Sequence, residues 1–384
     1  MEVTQVYQFA NNATKEIVGE SAVLQEDLSN IVDVGSKVID SEKGIENFVK
    51  KLVDHIGRVI FVDRTYKGTA PSVLMDGWEY GSIMEKISGE MPEAKENESW
   101  ELQDGKSYDP NVFYQPKVEA KFYNSMVTLE VDQSFTELQV KSAFSSATQM
   151  NSFLSMLKNE VEKSLTVKTD SLIQRTINNM IAMTINSAGP RVVHLLTMYN
   201  TAYAGIISAP LTDDKSLHDP NFIRYATYII GMYPKRLRNI STLFNIGGKK
   251  RFTPADKLHT VMLDEFVSAA SIFLESDTFH KELVALPTTE TVSFWQGSGT
   301  DFAYENTSLI DVKIKSEDSA DGLAVKKGGI LGIMFDRDAL GVACVDRRVK
   351  TNYNPKAEFF TNFHKFDAKY FNDGNENAVV FLND

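Results

Sequence analysis

The 384-residue chain is poor in the side chains that usually carry metal, redox or disulfide chemistry, with one cysteine and six histidines. A single thiol cannot close an intramolecular disulfide, which excludes a disulfide-stapled fold. The apolar neighbours of Cys344, among them Val342 and Val345, predict a buried structural thiol instead of a reactive one. No two histidines have the helical spacing, with a glutamate between them, that zinc hydrolases use. The histidines are His55, His194, His218, His259, His280 and His364.

Long apolar runs are also missing. No run approaches the roughly 18 residues that a membrane helix needs. Glu2, Lys15, Glu16 and Glu20 lie among small polar residues in the first twenty positions, unlike the basic start and apolar middle of a secretory signal. We therefore expect no membrane partner, and a protein that stays in the compartment where it is made.

Familiar catalytic motifs are missing as well. The sequence contains no Gly-x-Ser-x-Gly elbow, and residues 296–299 are better explained as a turn after Trp295. Gly328, Gly329 and Gly332 lack the spacing of a phosphate loop or a dinucleotide fingerprint. We expect no catalytic residue, no cofactor site and no metal site.

The charge balance is acidic, with a formal net charge of -12, and 42% of the residues are hydrophobic. The apolar fraction is sufficient for a sizeable core. The negative charge argues against a protein whose main task is to grip nucleic acid, since phosphate affinity comes from clustered lysine and arginine. Three basic clusters interrupt the acidity, at 235–238, 249–251 and 346–348. Their simplest interpretation is solvated loop charge.

The N-terminal residues 1–45 are polar, with a helical pattern near 31–38 and few large apolar groups. They predict an extended arm that needs a neighbouring surface, or a frayed terminus. An amphipathic helix follows over 45–55, and Gly57 is expected to end it. Its apolar positions are Ile45, Phe48, Val49, Leu52 and Val53.

Residues 64–132 predict a long β-hairpin with a charged tip. Val118, Ala120 and Phe122 alternate with charged residues, as in a half-exposed strand, and 73–80 is the expected partner strand. Between positions 86 and 112 lie seven acids and three lysines, together with glycine and proline breakers. A solvated flexible loop is the alternative interpretation. The acids are Glu90, Glu93, Glu96, Glu98, Glu101, Asp104 and Asp109, and the lysines are Lys86, Lys95 and Lys106.

Residues 148–184 have the strongest helical pattern. The period of 3.6 residues predicts one helix on the order of 50 Å long, and Gly189 and Pro190 stop it. Methionine and phenylalanine at this spacing indicate a core face, not a cofactor site. That face comprises Met150, Phe153, Leu157, Val161, Leu165, Leu172, Ile173, Ile177, Met180 and Ile181. The outward side chains are Lys158, Glu162, Lys163, Lys168 and Gln174.

Residues 191–327 predict a second lobe of helices and strands. Thr253, Pro254 and Asp256 have the order of a helix start, and a shorter helix is expected over 279–286. The buried face of the first helix would comprise Val261, Met262, Phe266, Ala269 and Phe273. Strands are expected over 192–196, 329–335 and, at the end of the chain, 378–382.

Read in order, the arm, charged hairpin, long helix, α/β lobe and aromatic-rich final strand resemble the capsid proteins of tailed bacteriophages with the Hong Kong 97-type fold. The sequence of the last fifty residues resembles the C-terminal region of such proteins from small short-tailed phages of Gram-positive hosts. The segments that carry this resemblance are MFDRDALG at 334–341, RRV at 347–349, NP at 354–355, FHKFDAKYF at 363–371 and NAVVF at 377–381.

The resemblance implies an α+β fold with five parts. These are an N-terminal arm (1–45), a peripheral domain with a spine helix (46–63 and 133–189, helix about 148–184), an extended hairpin loop (64–132), an axial domain (190–345) and a C-terminal return to the peripheral domain (346–384).

It also implies a structural major capsid protein that assembles into an icosahedral-type shell around double-stranded DNA, and not an enzyme. The implied partners are further copies in hexamers and pentamers, portal and scaffolding proteins, and packaged DNA contacted non-specifically. The place would be the virion, after assembly in the host cytoplasm. Mild acidity suits an inner wall along which DNA slides, and the basic clusters could contact DNA or acidic tips of neighbours.

Some members of the fold family cross-link a loop lysine to a distant asparagine. Lys86, Lys95 and Lys106 lie in the corresponding region, but nothing identifies an asparagine partner, so we assign no cross-link. Two alternatives remain open from sequence. One is an encapsulin-like nanocompartment subunit that encloses a protein cargo, and the other is a soluble α/β hydrolase or transferase.

Overall fold

The computed structural model describes residues 7, 10–15, 24–25, 28–40, 44–63, 70–75, 84–92, 94, 96, 104–105, 109, 111–275, 290–295, 309–316 and 319–384. The chain divides into two compact units, each made from three stretches. The first comprises Met1–Gly81, Met126–Ile173 and Val342–Lys369, and the second comprises Ser82–Ser125, Gln174–Gly341 and Tyr370–Asp384. Among the described residues, no helix has the length and apolar character to cross a bilayer.

The first unit contains a four-stranded sheet in the order β1-β11-β12-β4. Its strands are β1 (Leu74–Met75), β4 (Met126–Thr136), β11 (Leu340–Asn354) and β12 (Phe359–Asn372). Antiparallel pairing between β12 and β4 runs from Phe359 opposite Thr136 to Lys369 opposite Met126. Along β4 the side chains alternate between exposed and half-buried, as expected of a sheet with one face toward water.

In the described part of the first unit, residues 10–15 are helical, Pro71–Val73 forms a 3-10 helix, and four further α-helices are numbered here in chain order, the last continuing into the second unit. They are α1 (Ile31–Asp40), α2 (Gly44–Asp63), α3 (Glu137–Ala143) and α4 (Ala147–Ser187). Thr136 caps α3 with its side chain, and Gln139 returns a hydrogen bond to the Thr136 backbone, which is a capping box. The prediction that Gly57 ends the second helix is wrong, since α2 continues to Asp63.

The expectation that residues 1–45 lack a core of their own is wrong for their described part. Ile31, Val34 and Val38 form a buried face on α1, and α1 contacts α2. A β-carbon at Gly35 would lie 2.7 Å from the ring of Phe144, so the helix approaches that ring as closely as glycine allows. The spacing of three to four residues between these apolar side chains makes an amphipathic helix that buries one face within its own copy.

The long helix is confirmed. α4 has 41 residues, which corresponds to about 60 Å at 1.5 Å per residue. All ten positions predicted for its core face are buried. Gln174 was expected to point outward and is instead 8% exposed. Beyond the helix end, Gly189 has a φ of 84°, the left-handed conformation that glycine adopts most easily.

The second unit is built around a five-stranded sheet in the order β5-β13-β10-β6-β7. Its strands are β5 (Val192–His194), β6 (Leu258–Leu263), β7 (Glu290–Val292), β10 (Ile330–Asp336) and β13 (Ala378–Leu382). Central β10 is buried throughout and pairs antiparallel with β13 and β6. The predicted strands at 329–335 and 378–382 are therefore confirmed, whereas the strand predicted over 192–196 ends at His194 and a helix follows.

Four helices flank this sheet in sequence: α5 (Leu195–Ala202), α6 (Asp213–Ser216), α7 (Pro220–Leu237) and α8 (Asp264–Glu275). The predicted helix start at Thr253 is wrong. Val261 and Met262 lie in strand β6, because every residue from Thr260 to Leu263 is buried and pairing with β10 favours β-branched and apolar side chains. Of the proposed face, Phe266 is buried on α8, but Ala269 and Phe273 are only half-buried. The predicted helix at 279–286 and the turn at 296–299 lie outside the described residues.

Candidate assembly surface

Two antiparallel ribbons extend the second unit. One is formed by β8 (Ile310–Ser316) and β9 (Ser319–Lys327), and the other by β2 (Met84–Gly89) and β3 (Val118–Tyr123). In the second, called here the hairpin, Met84 lies opposite Tyr123 and Gly89 opposite Val118. The predicted strand β3 is confirmed, but its partner is not the run at 73–80. Leu74 and Met75 pair with β11 instead.

The hairpin has one exposed apolar face. Side chains alternate along β3, so Val118 and Phe122 share a face with Ile87 of β2. These three side chains are 63%, 64% and 65% exposed, respectively. A cluster of large apolar side chains left in water on one side of a ribbon is typical of a protein contact surface.

The opposite face of the hairpin is fastened to the second unit by ion pairs, called here the root cluster. Lys86 Nζ lies 2.8 Å from Asp373 Oδ2 and 2.8 Å from Glu376 Oε1. It also donates a hydrogen bond of 3.0 Å to the backbone oxygen of Asp338. Lys121 Nζ lies 3.3 Å from Asp373 Oδ1. One buried carboxylate thus receives a lysine from each hairpin strand.

The protonation states in the root cluster follow from this arrangement. Burial by itself would raise the pKa of Asp373, but the hydrogen bond and positive charge of Lys86 outweigh it, so the pKa lies below its ordinary value. Burial, reinforced by the negative charge of Asp373, raises the pKa of Tyr123 well above its ordinary value. At neutral pH the cluster therefore contains an ionised aspartate beside a neutral phenol.

A loop at 245–251 completes the root of the hairpin. Lys249 Nζ lies 2.9 Å from Glu119 Oε2 and 3.3 Å from Glu90 Oε1. Asn245 fixes the loop, because its side chain accepts a hydrogen bond from the backbone N–H of Lys249 and donates one to its carbonyl, both 2.7 Å long. A cavity of about 240 Å³ lies beside these groups, below the roughly 300 Å³ at which small-molecule sites begin. The charges here hold the hairpin in place.

The predicted basic clusters have different surroundings. Lys249 belongs to the root, and Arg251 Nε lies 3.5 Å from Glu376 Oε1. Arg348 lies 2.6 Å from Asp346 and 2.8 Å from Asp367 within the first unit. Residues 235, 236 and 238 are exposed. The charges of the 235–238 cluster are therefore solvated, as predicted, but Lys235 and Arg236 lie in the last turn of α7 and not in a loop.

Two other sequence predictions concern reactive side chains. Cys344 is half-buried, so it is less buried than the predicted structural thiol. Within the described ranges, no group of three or more histidine, cysteine or acidic residues is arranged to hold a metal ion.

Several features of this surface escaped sequence reasoning. The segment at 84–89 lacks strong alternation, and nothing in the sequence links Lys86 with Asp373. One signal was available and unused. Asp219 followed by Pro220 is a helix start, and Asp219 Oδ1 accepts the backbone N–H groups of Asn221 and Phe222 at the beginning of α7.

A solved structure shows which fold this chain has. A chain of the capsid structure of Staphylococcus phage Andhra superposes with a TM-score of 0.52 at 11% identity, covering 84% of this chain and 86% of that chain. A chain from the structure of the head fiber and inner core protein gp22 of native bacteriophage P68 has a TM-score of 0.48 at 9% identity, with 80% and 83% covered. On the first match, the fold is that of a phage capsid protein, α+β and of the Hong Kong 97 type.

The sequence defines the family more narrowly. The model of the Phi29-like phage major capsid protein family matches residues 8–382. The chain belongs to this family. No curated protein matches it at a significant level. Membership of this family confirms two predictions, that the chain is a structural capsid protein of the virion and that it is not an enzyme. The nanocompartment and enzyme alternatives are not favoured.

Proposed function

We propose that the chain builds an icosahedral-type shell around double-stranded DNA, with the hairpin of each copy lying on a neighbouring copy. The observation that carries this proposal is the exposed face formed by Ile87, Val118 and Phe122, which lies opposite a root anchored by ion pairs. A ribbon held rigidly at its base and apolar on its free side fits a contact made between copies.

The parts of the chain take the roles that the fold family implies. We assign the five-stranded sheet and its helices to an axial domain around hexamer and pentamer axes; this domain comprises 190–345 and the final strand β13. The four-stranded sheet, together with 46–63, 133–189 and the return from 346 as far as β12, would form the peripheral domain, and α4 the spine helix. The return expected over 346–384 is shortened because β13 pairs with β10 and β5. Portal and scaffolding proteins, and DNA touched non-specifically, would be further partners, with assembly in the host cytoplasm. We withdraw the extended arm at 1–45 for its described part, because α1 packs within its own copy.

Reversible contacts suit this assembly. A contact of millimolar to micromolar strength contributes about 4 to 8 kcal/mol, and several per copy add up to a closed shell while single misplaced copies can still leave. The apolar face supplies such a contact without any covalent step.

The experiment either replaces the apolar face or removes part of the segment that connects β2 and β3, and it keeps the root. A deletion of residues 92–111, bridged by a short Gly-Ser turn, leaves β2, β3 and Lys86 in place. A second variant carries I87S, V118S and F122S. Both should fold as judged by circular dichroism and thermal unfolding, yet give few or no particles by sedimentation and negative-stain microscopy.

Ile272 on α8 provides a matched control, since it is 64% exposed, as is Phe122. I272S should assemble like the natural chain, whereas F122S should lose particles. Shells in normal yield from both the deletion and the triple variant would refute the role of the hairpin.

A further inference from the structure

The second unit carries a long stretch without any acidic residue. Between Asp219 and Asp256 the chain has seven basic residues and no aspartate or glutamate, although the whole chain has a net charge of -12. These are Arg224, Lys235, Arg236, Arg238, Lys249, Lys250 and Arg251. The stretch comprises α7 and the loop that follows it.

That loop presents apolar side chains together with its cations. Backbone hydrogen bonds between Ser241 and Arg251, of 2.9 and 3.1 Å, form an antiparallel bridge flanked by Ile240 and Phe252. Ile240, Leu243 and Phe252 are 54%, 52% and 51% exposed. We call these three side chains, with the exposed cations Lys235, Arg236, Arg238 and Lys250, the basic-apolar surface. None of the four cations forms an ion pair with the residues that the structure describes.

The hairpin tip, defined as the described residues among 91–114, has the opposite character. Its charged side chains are Glu96, Asp104 and Asp109, which are all acidic and all exposed. Phe113 and Tyr114 are each 83% exposed. Acidic and aromatic side chains on the tip thus match basic and apolar side chains on the loop.

We propose that the hairpin tip of one copy docks on the basic-apolar surface of the next copy. This proposal rests on the proposed function and names the acceptor surface for the hairpin. Packaged DNA is the competing occupant, and it fits less well. Phosphates would satisfy Lys235, Arg236 and Arg238, but they would leave Ile240, Leu243 and Phe252 in water.

The root of the hairpin strengthens the case for a second copy. Lys249, in the same loop, already holds Glu90 and Glu119 of its own hairpin. With the tip of one copy beside the root of the next, each copy contributes its tip to one contact and its basic-apolar surface to another. Such a head-to-tail contact, repeated with a rotation that closes, produces a ring. Rings of this kind are what hexamers and pentamers require.

Reciprocal charge reversal in the full-length chain tests the proposal. Variant A carries K235E, R236E and R238E, and variant B carries E96K, D104K and D109K. Each alone places like charges at the contact and should lower the association constant of the contact about tenfold, equivalent to roughly 1.4 kcal/mol. A chain that carries both sets again places opposite charges at each contact, in five-membered as in six-membered rings, and should recover assembly. The variant K235R, R236K, R238K keeps the charge and should assemble normally.

Salt provides a second readout. Raising ionic strength from 0.1 to 1 M shortens the screening length from about 10 to 3 Å, which should weaken assembly of the natural chain and relieve the repulsion in A and B. Normal shells from variant A that package less DNA would overturn the proposal and identify a nucleic-acid surface. Failure of the chain with both sets to recover would also overturn it. Either result, with assembly still lost on deletion of 92–111, leaves the proposed role of the hairpin standing.

Discussion

Lys86 and Asp373 lie 287 positions apart in the chain, and the ion pair between them joins the hairpin to the turn that precedes the final strand. The Asp373 side chain is 2% exposed and that of Lys86 is 19% exposed. A carboxylate this deeply buried is stable as an ion only with its partners in place. The position of the hairpin therefore depends on a few charges at its root.

Removal of one partner should free the hairpin. K86M leaves the Asp373 carboxylate with Lys121 alone, and we expect a loss of about 3 kcal/mol in the stability of the root. Hydrogen exchange of the β2 and β3 amides should then become much faster, while exchange in β10 stays slow. The matched control is K117M, whose pair with Glu90 is largely exposed and should have little effect. Equal exchange rates for K86M and the natural chain would contradict the anchoring role.

The root should also loosen in acid. Because the pKa of Asp373 in the folded chain lies below its ordinary value, its contribution to stability is complete above the unfolded pKa of about 4. The contribution is lost as the pH falls further, through the lowered pKa of the folded state. Exchange in β2 and β3 should accelerate below about pH 4, and D373N should remove this acceleration at the cost of lower stability at neutral pH.

His364 should give a second pH dependence, in the first unit. Its side chain is 2% exposed, and burial lowers its pKa from 6.5 to about 4. Between pH 6.5 and 4, His364 is therefore protonated in the unfolded chain but neutral in the folded chain. The free energy of unfolding falls over this window by up to about 3 kcal/mol. Urea unfolding at pH 7 and at pH 4.5 should show the loss. H364F should reduce it, and H218Q, at an exposed histidine, should not.

Gly332 should tolerate no side chain. A β-carbon there would meet the backbone oxygen of Val261 at 2.8 Å and collide with Met262 on the neighbouring strand β6. G332A should destabilise the second unit by about 1 to 3 kcal/mol through overpacking. Gly231 on α7 has no heavy atom within 4 Å of the same position, so G231A should instead stabilise by about 1 kcal/mol. Thermal unfolding of both variants would separate the two effects, and equal shifts would contradict the packing argument.

Asp219 should control the helix that leads to the basic-apolar surface. D219A removes the acceptor for the N–H groups of Asn221 and Phe222 and should cost about 1 kcal/mol. D219N keeps an acceptor at the same atom and should be nearly neutral. Denaturant midpoints measure the difference, and a D219A midpoint equal to that of D219N would argue against the cap.

Part of the structure of this protein could be predicted from its sequence alone. Three features could be predicted, because each depends on neighbours within a few residues. They are the helical period of α4 over Ala147–Ser187, the strand β13 at Ala378–Leu382 and the resemblance of the C-terminal segments to the family. The acidity and aromatic content of the hairpin tip are likewise properties of the local sequence.

The partner of β3, the strand at 258–263 and the root cluster could not be predicted in this way. Leu258–Leu263 is a strand because β10 lies beside it, and the segment at 84–89 is a strand because β3 does. Lys86 and Asp373 come into contact only when the distant segments that carry them have packed together. Periodicity is set by local geometry, whereas strand partners and buried ion pairs are set by contacts between distant segments, which only the tertiary structure decides.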